Sequence, residues 1–385
     1  MLPVTDEILP FTIDTPQDQL DDLRRRLEHT RWPEAETVHG TDEPWKQGIP
    51  LQVTQDLTRY WLEQYDWRTV ESVLNGHPQF RTVIDGLGIH FLHVRSPEPD
   101  ALPVIMTHGW PGSVVEFLKV IGPLTDPVAH GGDAADAFHL VIPSLPGYGW
   151  SDKPDRTGWN IPRIGAAWEQ LMLRLGYERF GAQGGDWGSM VTAAIGLNHT
   201  EHLAGIHMNM PIVIPLTPAE EMTPSEAAAV ANFENYQNWE AGYSTQQSTR
   251  PQTVGYGLAD SPVGQMAWIV EKFWAWTDCD GDPRNAIVPD ELLDNVMVYW
   301  LTNSAASSAR LYWESFKDID LRNIDVPVGC SIFPHEIFRT SRRWAEGRFS
   351  DLRHFNELDR GGHFAAFEQP DLFVTELRDA FRSMR

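Results

Sequence analysis

Five residues, Gly184-Gly185-Asp186-Trp187-Gly188, carry the clearest chemical signal in the sequence. They have the form glycine-x-nucleophile-x-glycine, a sharp strand-to-helix turn that exposes the central side chain. Here that side chain is a carboxylate, and an aspartate that attacks carbon leaves an ester whose carbonyl group water can hydrolyse. Asp186 therefore indicates substitution at a saturated carbon, such as that of an epoxide or an alkyl halide. Alone, the motif also fits a turn whose aspartate merely caps the next helix.

A base and an orienting acid follow Asp186 in the order that this kind of turn requires: nucleophile, acid, histidine. Glu336 comes after an apolar run that ends at Phe333, and His363 lies in Gly361-Gly362-His363-Phe364 after the last β-rich run. Taken singly, Glu336 fits a solvated loop carboxylate and His363 a packed loop histidine. As an ordered set at the carboxyl ends of strands, Asp186, Glu336 and His363 are predicted to form a triad.

A second glycine-rich turn, His108-Gly109-Trp110-Pro111-Gly112, follows the apolar run at residues 104–107. It predicts half of an oxyanion hole, in which the backbone N–H groups of Trp110 and Trp187 point at the carbonyl oxygen of an ester on Asp186. The alternative is a turn whose proline and glycine serve shape alone. We expect Trp110, Trp187 and Phe364, which flank these groups, to contact the substrate.

The elements that must position these residues divide the chain into four predicted segments. Residues 1–78 read as a helical extension, with a helix capped by Thr15 and a second from about residue 54 to 75. Strand and helix patterns alternate through residues 79–210 and again through 317–385, which predicts a mostly parallel sheet with helices on both faces. Residues 211–316 are helical and rich in Trp and Tyr, and are predicted to form an inserted cap.

Composition limits the class of partner. The 385 residues, 42% of them hydrophobic, suffice for a large core. A net charge of −24 argues against nucleic acid and anionic membrane surfaces as partners. Cys279 and Cys330 have no metal-ligand spacing and are expected to be reduced thiols. No stretch is apolar enough to span a bilayer, so the sequence predicts a cytoplasmic protein that binds a small molecule.

Taken together, these motifs resemble the microsomal-type epoxide hydrolase family, including its bacterial secondary-metabolism members such as those of enediyne pathways. The resemblance covers nearly the whole chain and implies an α/β-hydrolase fold with an N-terminal helical extension and a helical cap. The motifs that carry it are Pro10-Phe11 with the helix at 20–32, His108 to Ser113, Gly184 to Gly188, Ser261-Pro262-Val263-Gly264, Phe333 to Glu336 and Gly361 to Glu368. Members on membranes carry an apolar N-terminal anchor; none precedes the first helix here, so membrane association is not expected.

The resemblance also implies two cap tyrosines that hold the epoxide oxygen, and the matching positions are Tyr243 and Tyr312. Opening an epoxide generates an alkoxide, and a phenol in a dry pocket can donate a hydrogen bond and then its proton to that oxygen. Both tyrosines also fit simple cap packing, and Tyr256 is the alternative to Tyr243. The implied reaction, from epoxide to vicinal diol, needs no metal or organic cofactor.

Two rival functions remain open from the sequence. A haloalkane dehalogenase also uses an aspartate, and the Trp187 indole N–H suits a halide, although a halide needs no tyrosine acid. A silent binding protein on the same fold is the second rival. Several of the sixteen tryptophans lie in the cap, which predicts an aromatic pocket suited to aryl-bearing epoxides: Trp239, Trp268, Trp274, Trp276, Trp300 and Trp313. The sequence leaves the substrate and any homo-oligomer open.

Overall fold

The computed structural model describes residues 7–38, 40–215, 217–317 and 319–385, and in these residues nine strands form one sheet. The strands are β1 (Leu9–Phe11), β2 (Gln79–Ile84), β3 (Leu87–Val94), β4 (Leu102–Thr107), β5 (Phe138–Pro143), β6 (Phe180–Gly184), β7 (Leu203–Met208), β8 (Ile324–Ile332) and β9 (Phe349–Glu357). Their spatial order is β1-β2-β3-β5-β4-β6-β7-β8-β9. The first three pairs in this order, β1–β2, β2–β3 and β3–β5, are antiparallel. The other five, β5–β4, β4–β6, β6–β7, β7–β8 and β8–β9, are parallel. The predicted mostly parallel sheet is confirmed.

Helices cover both faces of this sheet. Successive side chains of a strand point to opposite faces of the sheet. In β6, a side chain at Gly181 would meet Phe381 of the last helix, whereas one at Gly184 would meet Gly188 of the helix that follows β6. The α-helices of the described residues are α1 (Gln17–Glu28), α2 (Leu51–Glu63), α3 (Trp67–Asn75), α4 (Leu118–Thr125), α5 (Ile161–Arg174), α6 (Trp187–Asn198), α7 (Pro224–Asn235), α8 (Gly242–Thr249), α9 (Pro251–Asp260), α10 (Pro262–Trp276), α11 (Pro289–Leu301), α12 (Ala305–Ser315), α13 (Arg342–Glu346), α14 (Ala365–Glu368) and α15 (Pro370–Arg382). Within the described ranges, none of these helices combines the length and apolarity needed to cross a membrane.

Two predicted details of the helical extension are wrong. The single helix from about residue 54 to 75 is two helices, α2 and α3, because the chain leaves the helical path at Gln64 and Asp66 caps α3 by accepting the Arg68 N–H. Thr15 does not cap α1, which begins at Gln17. Its hydroxyl instead accepts the indole N–H of Trp67.

Helices α7 to α12 lie between β7 and β8 in the chain, and the helical extension contacts them. Arg26 donates to the Asp260 carbonyl, and the phenol groups of Tyr60 and Tyr65 donate to Asp290 and Asp294. We keep the division into extension (1–78), core (79–210 and 317–385) and cap (211–316) as a proposal and use these names below. The extension therefore contacts the cap directly through these hydrogen bonds.

Candidate active site

Asp186 occupies the turn between β6 and α6. Its φ of 51° and ψ of −127° lie in a region that non-glycine residues rarely adopt, and such strain concentrates at functional sites. The turn is tight enough that a Cβ at Gly188 would lie 1.9 Å from the Thr107 carbonyl oxygen. The Asp186 side chain makes no capping hydrogen bond to α6. Asp186 is buried, and its geometry is that of a nucleophile at a strand-to-helix turn rather than that of a helix cap.

The two oxygens of the Asp186 carboxylate have different surroundings. Oδ1 accepts the backbone N–H of Trp110 at 2.7 Å, as the predicted oxyanion hole requires. Oδ2 lies 3.5 Å from Nε2 of His363. The Trp187 amide begins α6 and so has no intrahelical partner, but it makes no hydrogen bond to Asp186 in the described structure. The structure therefore brings one of the two predicted amides into contact with the carboxylate.

His363 is buried and bridges two carboxylates. Its Nδ1 lies 2.6 Å from Oε1 of Glu336, and the same oxygen accepts the Ile337 N–H at 2.7 Å. The loops that carry the two residues are tied together, because the His335 N–H donates to the Gly361 carbonyl at 3.1 Å. The cap holds the histidine as well, since the His363 N–H donates to the Trp276 carbonyl at 2.8 Å. Asp186, Glu336 and His363 therefore meet as the sequence predicts.

The electrostatics of His363 follow from these neighbours. Burial by itself would lower its pKa, but the negative charges of Glu336 and Asp186 outweigh that effect and raise the pKa to about 10. The imidazole therefore carries its proton at neutral pH.

Tyr243 on α8 and Tyr312 on α12 enter the site from the cap. Both are buried, their ring centroids are 5.7 Å apart, and the Trp110 ring stacks on Tyr243 at 4.9 Å. Burial, reinforced for both phenols by nearby negative charge that includes Asp186, raises their pKa values well above 10. Both phenols therefore keep their protons at neutral pH and are available as donors.

The hydrogen bonds of the two phenols differ. Tyr243 Oη lies 3.0 Å from Tyr236 Oη, a contact that the sequence analysis does not predict. Tyr312 Oη is buried and has no hydrogen-bond partner in the described part of the chain. Tyr256, the alternative considered for Tyr243, is wrong: it is 71% exposed on α9, because its side chain points away from the cap interior.

A cavity of about 500 Å³, called the large cavity below, adjoins Asp186, Tyr243 and Tyr312. Its remaining walls are largely apolar and include Trp187, Met190, Met210, Ile212, Phe233, Tyr236, Phe316, Ile337 and Phe338. Among the described residues, none of the six cap tryptophans named above lines it. Trp239 and Trp313 are exposed, at 83% and 49%, and Trp274 stacks on Trp45 of the extension at 4.8 Å. The cavity is aromatic as predicted, but its rings are those of Trp187 and of phenylalanine and tyrosine side chains rather than of these six tryptophans.

Of the three residues predicted to contact substrate, Trp187 lines the large cavity. Trp110 and Phe364 instead line a second, small cavity that Asp186 and His363 also line. Phe364 stacks on Phe273 at 4.1 Å, which places it in the packing behind His363. The lining of the large cavity therefore does not support a contact between Phe364 and the substrate.

Glu116 is a buried residue of this site that sequence reasoning missed. It lines the small cavity with Asp186 and His363, and burial raises the pKa of its carboxyl to about 8. Its one sequence signal is its place three residues after Ser113, at the end of the Trp110 turn. In the described ranges, the active site included, no group of three or more His, Cys, Asp and Glu side chains is arranged to hold a metal ion.

Comparison with known proteins gives two family matches. Residues 8–117 match the family described as Epoxide hydrolase N terminus, and residues 103–253 match the alpha/beta hydrolase fold. The two matches together run from β1 to α9, through the helical extension, the Trp110 turn and the Asp186 elbow.

Individual proteins are similar over most of the chain. A Stigmatella aurantiaca protein that carries an epoxide hydrolase name is 56% identical over 98% of this chain and 86% of its own. Epoxide hydrolase 1 of Sus scrofa is 35% identical over 97% of this chain and 88% of its own. The solved structure of Aspergillus niger epoxide hydrolase is 32% identical, covers 98% of this chain and 97% of its own, and superposes with a TM-score of 0.89.

Proposed function

The chain belongs to the microsomal-type epoxide hydrolases of the α/β-hydrolase fold, and from that membership we propose which of its residues perform the reaction. The observation that carries the proposal is the position of Asp186 between two sets of groups. On one side are the His363–Glu336 pair and the Trp110 amide. On the other side are the two phenols of the cap, across the large cavity.

In the first step, Oδ2 of Asp186 attacks one epoxide carbon. That oxygen is the free one, because Oδ1 is held by the Trp110 amide. The bond from carbon to the epoxide oxygen breaks, and Tyr243 and Tyr312 donate to that oxygen, one of them transferring its proton. Although their pKa values are raised, an alkoxide is a stronger base than a phenolate, so the transfer is favourable. The product is a hydroxyalkyl ester of Asp186.

In the second step, water hydrolyses this ester. Esterification removes the negative charge from Asp186 and lowers the pKa of His363. The imidazolium therefore gives its proton to the phenolate that the first step left, and the neutral imidazole then takes a proton from water. The hydroxide adds to Cγ of Asp186, and the resulting oxyanion on Oδ1 is stabilised by the Trp110 amide and by the unpaired Trp187 amide. The bond from Cγ to the diol oxygen breaks, and that oxygen takes the proton from His363. The carboxyl proton that this leaves on Asp186 then passes to the neutral imidazole, which restores the charged pair. Asp186 keeps an oxygen atom from water.

The substrate class that the large cavity favours is an apolar epoxide, and we propose an aryl-bearing one. A volume of about 500 Å³ is in the usual range for small-molecule sites, and such sites are mostly apolar with a few polar groups that fix orientation. The aromatic rings of Phe233, Phe316 and Phe338 offer faces on which an aryl group packs. A role in natural-product biosynthesis is a further proposal, which rests on the resemblance of the motifs.

Turnover of a small panel tests this assignment. We expect the wild-type enzyme to convert racemic styrene oxide to its vicinal diol and to release no halide from chloro- or bromoalkanes, because the tyrosine acids serve an oxygen leaving group. Halide release without diol formation would favour the dehalogenase chemistry. Binding of many apolar epoxides without turnover of any would contradict the proposed roles of the triad.

A further inference from the structure

A second, smaller cavity is lined by both Asp186 and His363. Its volume is about 20 Å³, and one water molecule needs roughly 10–15 Å³. Its lining includes Asp186 and His363 together with three other polar side chains, Glu116, Gln183 and Asn209. It is separate from the large apolar cavity, and its lining polar groups are the kind that hold water.

Glu116 is the only one of these three side chains that carries an ionisable group. A Cβ at Gly112 would lie 2.7 Å from Oε2 and 3.2 Å from Oε1 of Glu116, so the carboxyl group sits directly over that glycine. From there it interacts electrostatically with His363 and Asp186. In the described structure its carboxyl makes no hydrogen bond to protein, whereas Gln183 Nε2 donates to Asn209 Oδ1 at 3.0 Å.

A buried carboxyl group without a partner is destabilising, so its presence calls for a ligand in the cavity. The second step of the proposed mechanism requires a water that contacts both His363 and the ester carbonyl carbon. The small cavity is lined by both residues, whereas His363 is not among the described residues that line the apolar cavity. A water there would supply the hydrogen bond that Glu116 lacks.

We propose that Glu116 is a positioning residue that holds the hydrolytic water of the second step; this inference rests on the proposed covalent function. The water donates one hydrogen to a Glu116 oxygen and the other to Nε2 of His363, which leaves a lone pair directed at Cγ of Asp186. His363 takes its proton and Glu116 keeps the oxygen in place, so Glu116 undergoes no net change. An acceptor oxygen is available on Glu116 whether or not the carboxyl group is protonated.

Two substitutions separate this role from packing. Glu116→Leu keeps the approximate volume but removes the acceptor, and we expect ester hydrolysis to slow by about 10²-fold because the water is misplaced. Glu116→Gln keeps an acceptor oxygen, so its hydrolysis rate should stay within about tenfold of wild type. Since kcat/KM reports the steps up to ester formation, it should change little in either variant, while kcat and KM of the leucine variant fall together.

The measurement is rapid mixing with styrene oxide, acid quench and mass spectrometry of the intact protein, which gives the fraction present as ester over time. Glu376→Gln is a matched control, because Glu376 is also buried but bonds Ser331 and His354 in a separate polar cluster. We expect the ester to accumulate in Glu116→Leu and not in the Glu376 variant. The leucine variant should also melt close to wild type, because Glu116 makes no hydrogen bond to another described residue that the substitution would remove.

Three results would overturn the inference. Wild-type hydrolysis rates in Glu116→Leu would show that the carboxyl group does not hold the water. Equal losses of kcat/KM and melting temperature in both Glu116 variants would indicate a structural role. If the wild-type enzyme and His363→Gln both form diol without any detectable ester, the covalent route itself fails, and the inference fails with it.

Discussion

Nε2 of His363 lies 3.5 Å from Oδ2 of Asp186, while Nδ1 of the same ring lies 2.6 Å from Glu336. The longer contact is an ion pair without a well-formed hydrogen bond, and the shorter one fixes the ring. The state of His363 therefore depends on whether Asp186 is charged. In the proposed mechanism, a charged Asp186 keeps the histidine protonated before the epoxide is attacked, and formation of the ester allows the histidine to act as a base.

This dependence predicts that the pKa of His363 falls when the charge of Asp186 is removed. Asp186→Asn should lower it from about 10, because one of the two carboxylates that raise it is removed. Nitrogen-15 NMR of the imidazole across a pH titration measures the change. His207, whose pKa burial lowers to about 3, is an internal control that should not move. An unchanged His363 pKa would mean that Asp186 and His363 are not coupled.

The same coupling predicts a pH-dependent stability. Because the folded-state pKa of His363 lies above the ordinary value of 6.5, the stabilisation it supplies is complete below pH 6.5 and is lost as pH rises through about 10. His363→Gln lacks this contribution. The difference in free energy of unfolding between wild type and this variant, measured by urea denaturation, should therefore shrink from pH 6 to pH 10. A difference that grows over that interval would contradict the assignment of charges.

Removing the base should trap the ester. In His363→Gln, Asp186 still attacks but water is no longer activated, so we expect a burst of one equivalent of ester and then at least about 10²-fold slower turnover. Acid quench and intact-protein mass spectrometry measure the burst. Glu336→Gln should show the same accumulation more weakly, because it misorients the imidazole without removing it. Diol formation at the wild-type rate in His363→Gln would contradict this role.

The two cap tyrosines should act on ester formation. Tyr243→Phe and Tyr312→Phe should each lower kcat/KM for styrene oxide by about 10²-fold, since the alkoxide loses a donor. Tyr256→Phe is the matched control, because Tyr256 is exposed on α9 and should leave kcat/KM unchanged. Stopped-flow measurement of ester formation assigns the loss to the first step. If both phenylalanine variants formed the ester at the wild-type rate, neither tyrosine would act in the first step.

Gly109 is predicted to keep the space around the nucleophile clear. A Cβ at Gly109 would lie 2.1 Å from Oδ1 of Asp186, whereas one at Gly257 in α9 would meet nothing within 4 Å. Gly109→Ala should therefore displace the carboxylate and lower kcat/KM by at least about 10²-fold. Gly257→Ala should leave activity unchanged and stabilise α9 by about 0.5–1 kcal/mol. Wild-type activity in Gly109→Ala would show that the turn adapts.

The features of the fold and the site that the sequence predicts are those that depend on local patterns of residues. The elbow at Asp186 and the Trp110 turn follow strands that the alternation of apolar residues reveals, and the carboxyl ends of parallel strands must share one edge of the sheet. Glu336 and His363 meet Asp186 for the same reason. The parallel part of the sheet and the helical cap were predictable on the same basis.

What the sequence does not predict depends on contacts between distant segments. Glu116 is buried over Gly112 near Tyr299 of the cap, and nothing in its local sequence distinguishes it from a solvated carboxylate. The Tyr236–Tyr243 contact and the outward position of Trp239 depend on how the cap helices pack. The break between α2 and α3 has a polar signal, Asp66 as a helix cap, that a continuous apolar stripe obscured.

The most direct test of the covalent route follows the oxygen atoms. Wild-type enzyme is allowed many turnovers of racemic styrene oxide in H₂¹⁸O, and the peptide that contains Asp186 is then analysed by mass spectrometry. We predict ¹⁸O in the Asp186 carboxylate, because water attacks Cγ and leaves its oxygen there, and Asp186→Asn, checked for deamidation, should form no diol. Diol formed by the wild-type enzyme without label in Asp186 would contradict the account and indicate direct attack of water on the epoxide.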